Sequence, residues 1–216
     1  KILIKRGLKG DLAKELTDLI KARQIPYQIV PDEKLARVTA KNHQGVIAFV
    51  SPITFTPLDE LVTQVFEKGE TPFFIALDQV TDVRNFGAIV RTAECANVHG
   101  IIIPEKGSAQ IGSDAVKTSA GALLKVPVCR VNNLKKALQN LQLSGLTVVG
   151  ATEKAANYYY GHNFTTPVCV IMGAEDTGLS DEVLRICEPL VKIPILGQIG
   201  SLNVSVAASI LMYEVV

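Results

Sequence analysis

The stretch IPILGQIGSLNVSVAA, residues 193–208, has the composition of a ligand-binding loop that follows a buried strand. An apolar strand ending leads into two glycines, then Ser201 and Asn203, then a run of small apolar residues. Such a loop between a strand and a helix exposes bare backbone to a ligand and supplies two short polar side chains. The alternative is purely structural: Ser201 caps the last helix and Asn203 assists.

A second informative segment is DQVTDVRNFGAIVRTA, residues 78–93. Asn85 is expected to cap the helix that follows it. Arg84 and Arg91 lie two helical turns apart on one face, so both can reach one anionic ligand, although solvated surface arginines would show the same spacing. Gly87 lowers helix propensity just inside the helix, which indicates a close approach to the backbone at this position.

A third segment, VCVIMGAEDTGLS at 168–180, ends a predicted strand at Gly173. This glycine is expected to adopt a backbone conformation that other residues resist, and to let a flat ligand lie on backbone amides. Glu175, at the mouth of the sheet, is either a solvated loop residue or a group that orients a catalytic side chain. Ser180 is predicted to cap a helix over 181–187.

Strands and helices alternate regularly from Phe73 onward, and several strands are apolar throughout. This pattern predicts a mostly parallel α/β sheet with helices on both faces, in which ligands bind at the carboxyl ends of the strands. The predicted strands are 73–78, 99–104, 125–131, 147–152, 167–173 and 190–195, and the predicted helices are 86–98, 113–120, 132–143, 180–187 and 202–216.

Residues 1–54 predict a small β-α-β-α-β domain, with strands at 1–6, 26–30 and 45–50. The domain is expected to be incomplete at its N-terminus, because the chain begins with Lys1 and not with Met. Residues 55–71 read as a linker that carries a helix around 57–68, and 72–216 as the large domain. Residues 1–55 hold ten Lys and Arg against five Asp and Glu, whereas the rest of the chain is acidic. This asymmetry fits a polyanionic partner or a solvated, Lys-rich face equally well.

Several classes of protein lack their signatures here. There is no G-x-G-x-x-G after the first strand of the large domain, no phosphate-binding G-x-x-x-x-G-K-[ST] and no G-x-S-x-G elbow. No export signal or membrane span is expected, which favours a cytoplasmic protein. The four cysteines read as free, mostly buried thiols, and the three histidines do not cluster into a metal site. The tyrosine run at 158–160 predicts either loop packing or a surface that stacks bases.

Taken together, the three segments resemble the signature motifs of the SpoU (TrmH-like) RNA 2′-O-ribose methyltransferases of the SPOUT superfamily, over residues 72–216. The basic region resembles the L30e-like RNA-binding domain of the RlmB-like subgroup. The resemblance implies a C-terminal trefoil knot within roughly 147–216, S-adenosylmethionine as cofactor, no metal, and a homodimer. It also implies catalytic roles for Asn85, Arg91, Glu175, Ser201 and Asn203, and cofactor binding around Thr152, Gly173, Ile193, Ile195 and Leu202.

The resemblance implies methyl transfer to a ribose 2′-hydroxyl of structured RNA, with a guanosine of 23S rRNA favoured and tRNA second. Arg91 is expected to clamp a phosphate, because a guanidinium rarely loses its proton, and the phosphate can then accept the hydroxyl proton. Ser201 and Asn203 would bond the ribose, while Glu175 would hold Arg91 or an asparagine. Two alternatives are a non-catalytic RNA-binding protein with this fold and an α/β enzyme that uses another nucleotide.

Overall fold

The computed structural model describes residues 1–216, which divide into two compact units, Lys1–Ser51 and Pro52–Val216. In the first unit the central strand β1 pairs in parallel with β2 and antiparallel with β3. Leu3, Val30 and Leu35 form its small buried core. The elements follow the predicted order: β1 (Ile2–Lys5), α1 (Asp11–Ala22), β2 (Tyr27–Val30), α2 (Asp32–Val38) and β3 (Val46–Ala48).

The second unit is built on a seven-stranded sheet in which every pair of neighbouring strands is parallel, as predicted. The strand order is β6-β5-β4-β9-β7-β10-β8. The elements are α3 (Leu58–Glu67), β4 (Phe73–Leu77), α4 (Val83–Cys95), β5 (Gly100–Pro104), α5 (Ser113–Thr118), β6 (Val128–Val131), α6 (Leu134–Leu143), β7 (Thr147–Ala151), β8 (Asn157–Tyr158), β9 (Val168–Met172), α7 (Asp181–Leu184), β10 (Leu190–Lys192) and α8 (Val204–Val215).

Strand β4 shows why the central strands are apolar at every position. Phe73, Ile75 and Leu77 pack into the cluster that contains α4 and α8. Phe74 and Ala76 pack into a second cluster, which contains α3 and α6. Helices therefore cover both faces of the sheet, and successive side chains of one strand are buried on opposite faces. Helix α3, which lies in the segment predicted as a linker, buries its apolar face in the second cluster.

The structure departs from several of the predicted elements, and β6 begins only at Val128, three residues after the predicted start. The predicted strand 190–195 is regular only as β10, since Pro194 has no N–H to donate and the chain then leaves the sheet. Helix α7 is only four residues long. Helix α4 begins at Val83, three residues before the predicted start at Phe86, because Asp82 caps it. The two-residue strand β8 was not predicted, since so short an element shows no periodicity.

Three of the four cysteines are buried, as their apolar surroundings predict, and only Cys95 is exposed. Burial raises the pKa of Cys129 and of Cys187 to about 12, and it raises the pKa of Cys169 as well. These three thiols therefore act as apolar packing groups and not as nucleophiles. Separately, no helix of the chain is long and apolar enough to cross a bilayer.

Candidate active site

A cavity of about 360 Å³ opens at the carboxyl ends of β7, β9 and β10, where the parallel strands meet one edge of the sheet. Its volume lies in the range of small-molecule sites. The irregular segment 193–203 and helix α8 close it from the other side. All five residues predicted to hold a cofactor line this cavity: Thr152, Gly173, Ile193, Ile195 and Leu202.

A tight turn after β9 carries Glu175 to the wall of the cavity. Ala174 donates its N–H to the Gly178 carbonyl at 3.0 Å, and Gly178 donates its N–H to the Ala174 carbonyl at 2.9 Å. A Cβ atom on Gly173 would lie 2.2 Å from the Gly178 carbonyl carbon and 2.3 Å from the Leu179 nitrogen. Gly173 does not have a positive φ, so the expected unusual conformation was wrong. Glycine is required here because the turn passes directly over its Cα.

Asp78, at the end of β4, anchors the far side of this turn. Its carboxylate, in a residue that is only 5 % exposed, accepts the backbone N–H of Ser180 at 2.7 Å. Ser180 precedes α7 as predicted, but its hydroxyl makes no capping bond and is buried without a hydrogen-bond partner. The prediction that the Ser180 side chain caps the helix was therefore wrong, and the backbone of Ser180 is the group held in place.

Side chains from all three sequence segments meet in one hydrogen-bonded network. Asn85 Nδ2 donates to Glu175 Oε2 at 3.0 Å. Asn203 Nδ2 donates to Asn85 Oδ1 at 3.0 Å and to Glu175 Oε1 at 3.3 Å. Because both oxygens of Glu175 accept amide protons, the carboxylate fixes the orientation of both asparagines.

The two asparagines differ in the hydrogen-bonding capacity they have left. Asn203 Oδ1 accepts from the Ser205 nitrogen at 2.9 Å and from the Ser205 hydroxyl at 2.6 Å, so both ends of its amide are engaged. Asn85 keeps one N–H and one lone pair free, since it makes one bond as donor and one as acceptor. Of the two, Asn85 is thus better placed to bond a substrate.

The helix caps also differ from those predicted. Asp82, and not Asn85, caps α4, because its carboxylate accepts the N–H groups of Arg84 and Asn85 at 2.8 and 2.9 Å. Asn203, and not Ser201, caps α8. Ser201 lines the cavity, is exposed and makes no side-chain hydrogen bond. Its hydroxyl is therefore available to a ligand.

Helices α4 and α8 run side by side in the same direction. Asn85 meets Asn203 near their first turns, and Thr92 Oγ1 lies 3.1 Å from Ser209 Oγ two turns later. On its other side, α4 approaches α5 so closely that a Cβ on Gly87 would lie 2.0 Å from Thr118 Oγ1. The close approach predicted from Gly87 is confirmed, and it fixes the helix that carries Asn85.

Arg84 and Arg91 are both exposed and form neither ion pairs nor side-chain hydrogen bonds. They lie about 10 Å apart along α4. Glu175 was expected to hold either Arg91 or an asparagine. The structure shows the second alternative, because Glu175 accepts hydrogen bonds from Asn85 and Asn203. Helix α4, which carries Asn85, therefore also presents two cationic groups without protein partners, which are free to bind an anion.

Sequence reasoning missed the roles of three residues that shape the site. Asp82 could have been identified as a short polar residue just before a helix. Asp78 could have been identified as an acidic residue at the end of an apolar strand. Lys192, which ends β10 and lines the cavity, carries no motif of its own. Its position becomes visible only once the strand order is known.

Comparison with known proteins agrees with this geometry. Residues 72–213 match the SpoU rRNA Methylase family, and residues 1–56 match the family described as RNA 2′-O ribose methyltransferase substrate binding. The chain is 38% identical, over 208 residues, to YacO of Bacillus subtilis, a protein named as a TrmH family tRNA/rRNA methyltransferase. That alignment covers 96% of this chain and 83% of the relative.

Solved structures show the same fold. The AdoMet-bound rRNA methyltransferase from Sinorhizobium meliloti superposes with a TM-score of 0.69 at 25% identity, covering 99% of this chain and 78% of that one. AviRb from Streptomyces viridochromogenes is a SpoU methyltransferase solved in complex with AdoMet. It superposes with a TM-score of 0.67 at 25% identity, covering 99% of this chain and 80% of AviRb. The resemblance drawn from the three sequence segments is confirmed: the chain belongs to the SpoU rRNA methylase family.

Proposed function

We propose that this chain methylates a ribose 2′-hydroxyl of structured RNA, with S-adenosylmethionine as the methyl donor. A guanosine of 23S rRNA is the first target to test, and a tRNA is the second. The observation that carries the proposal is the position of Glu175, which lies in the cavity wall and also holds Asn85 and Asn203. One carboxylate thus connects the proposed cofactor pocket to the polar groups proposed to bind the acceptor.

The cavity suits a ligand with a flat apolar part and a cationic centre. Ile193, Ile195 and Leu202 offer apolar contacts, while the carboxylates of Glu175 and Asp176 can balance a positive charge. When bound, the cofactor supplies a methyl group that is already activated by the positive charge of its sulfur. The residues around it have to orient this group toward the acceptor and exclude water.

The acceptor side needs groups that hold an RNA strand and its ribose. Arg91, which has no protein partner, is assigned to the phosphate next to the ribose and stabilises the negative charge that develops on the 2′-oxygen. It keeps its own proton, so the RNA phosphate is the assigned proton acceptor. Ser201 and Asn85 bond the ribose, since their polar groups have capacity left. Asn203 holds Asn85 in position.

The small N-terminal unit supports RNA as the substrate. Residues 1–56 match a substrate-binding family of RNA 2′-O ribose methyltransferases, and residues 1–55 carry a clear excess of Lys and Arg. We assign residues 1–54 to RNA binding and 72–216 to catalysis. A basic surface of this kind binds phosphates without reading sequence, so the identity of the target nucleotide rests on other contacts.

Label transfer tests this function directly. The protein is incubated with methyl-labelled S-adenosylmethionine and with rRNA and tRNA, separately, from cells that lack the modification. Digestion to nucleosides is expected to place the label on a 2′-O-methylated nucleoside of one RNA class. An Asn85→Ala variant serves as the control that should lose transfer. If the cofactor binds but no RNA is labelled, the chain is a non-catalytic RNA-binding member of the family.

We further propose that the chain acts as a homodimer. Val206 and Tyr213, seven residues apart on α8, are both exposed on one face of this mostly apolar helix. This face can pack against a second copy. Sedimentation at micromolar concentration is expected to show a dimer, and a fully active monomer would refute this assignment.

A further inference from the structure

The tyrosine run at 158–160 forms an ordered aromatic cluster to which the proposed reaction assigns no role. The rings of Tyr158 and Tyr160 stack with centroids 5.4 Å apart and planes 14° apart. Tyr159 meets Tyr160 edge-on at 5.3 Å and packs against the core. Tyr158 is 42% exposed and Tyr160 is 59% exposed. Loop packing therefore accounts for the middle tyrosine but leaves the outer two facing solvent.

The cluster lies at the same edge of the sheet as the cavity. Tyr158 is the last residue of β8 and pairs in parallel register with Lys192, the last residue of β10. Lys192 also lines the cavity, and its Nζ lies 5.2 Å from the Tyr158 ring centroid. Because all seven strands are parallel, the tyrosines and the cavity open toward one side.

Lys192 adds a charge that the protein leaves unbalanced. It is half-buried, lies over an aromatic ring and forms no ion pair with a carboxylate. A cation beside exposed aromatic rings matches the chemistry of a single-stranded nucleic acid, which presents a flat base and a phosphate in each repeating unit.

We propose that Tyr158 and Tyr160 form a stacking platform for an unpaired nucleobase of the RNA substrate, and that Lys192 contacts a neighbouring phosphate. The inference rests on the proposed function and deepens it, because the platform requires an RNA whose target region is not paired. Base–aromatic stacking does not discriminate strongly between bases, so the platform positions the strand and leaves selection of the nucleotide to other contacts.

Substitution of the exposed tyrosines in the full chain tests the platform. Tyr160→Ala is expected to raise the KM for RNA about tenfold, while the affinity for S-adenosylmethionine stays unchanged. Tyr160→Phe keeps the ring and should behave like the wild type. Phe66→Ala, which removes an exposed aromatic ring from α3 in the other helix layer, is the matched control.

A binding measurement separates this proposal from the proposed function. The probe is a short single-stranded RNA that carries 2-aminopurine, whose fluorescence is quenched by stacking and is easily read because the chain contains no Trp. Quenching should occur with the wild type and Tyr160→Phe and be lost with Tyr160→Ala, whether or not methyl transfer is detected. Equal quenching and equal KM in all variants would overturn the platform. So would dissociation of a wild-type dimer by Tyr160→Ala, which would assign the face to a second copy.

Discussion

Replacing Arg91 by alanine is expected to reduce kcat for methyl transfer about a hundredfold or more, because a charge that stabilises the developing oxyanion is removed. Binding of S-adenosylmethionine should not change, since Arg91 does not line the cavity and makes no contact with the Asn85–Glu175–Asn203 network. Single-turnover transfer and a separate cofactor titration measure the two effects. Arg185→Ala, at the end of α7, is the control for the loss of a surface arginine.

The pH–rate profile of Arg91→Lys distinguishes a clamp from a base. Lysine keeps the charge but lacks the planar fork that binds a phosphate through two bonds, so partial activity with an unshifted pH profile is expected. Near-normal turnover with a lowered apparent pKa would mean that the side chain at position 91 itself takes the proton. That result would contradict the assignment of Arg91 as a phosphate clamp.

Gly173→Ala is expected to have the largest effect on stability. Its Cβ would lie 2.2 Å from the carbonyl carbon of Gly178, a backbone atom that cannot move away without breaking the paired bonds between Ala174 and Gly178. A cost of about 3 kcal/mol in the free energy of unfolding follows from overpacking of this kind. Displacing the turn also moves Glu175, so we expect the affinity for S-adenosylmethionine to fall about tenfold, which corresponds to about 1.4 kcal/mol.

Gly197→Ala is the matched control for this substitution. Gly197 lies in the segment that closes the cavity and has no positive φ. A Cβ atom added there would have no other atom within 4 Å. Urea unfolding and cofactor titration of both variants measure the effects. If Gly173→Ala unfolds and binds like Gly197→Ala, the turn over Gly173 does not shape the site.

The sequence predicted the architecture well because its signals are local. Apolar strands and amphipathic helices in the large unit follow from periodicity, and the carboxyl edge of the sheet follows from their alternation. The predicted cofactor residues all reach one cavity, since each directly follows a strand or lies in the loop before α8. The trefoil knot implied by the resemblance stays a prediction.

The hydrogen-bond partners could not be predicted, because they join distant parts of the chain. Asn85 and Asn203 are 118 residues apart and Asn85 and Glu175 are 90 apart, so no local pattern links them. Read alone, Asn85 looked like a helix cap, whereas Asp82 has that role. The sequence indicates that glycine is needed at position 173, but the cause, the approach of the turn at 178–179, depends on the folded backbone.

The most direct test of the central claim replaces one atom of the acceptor. Once the target nucleotide has been mapped, an RNA with a single 2′-deoxy sugar at that position is compared with the unmodified RNA. We predict that the deoxy RNA still binds the protein, with an affinity lowered at most about tenfold by the lost ribose hydrogen bonds, competes with the natural substrate and accepts no methyl group. Methylation of the deoxy RNA at the same rate would show that the acceptor is not the ribose hydroxyl and would contradict the account.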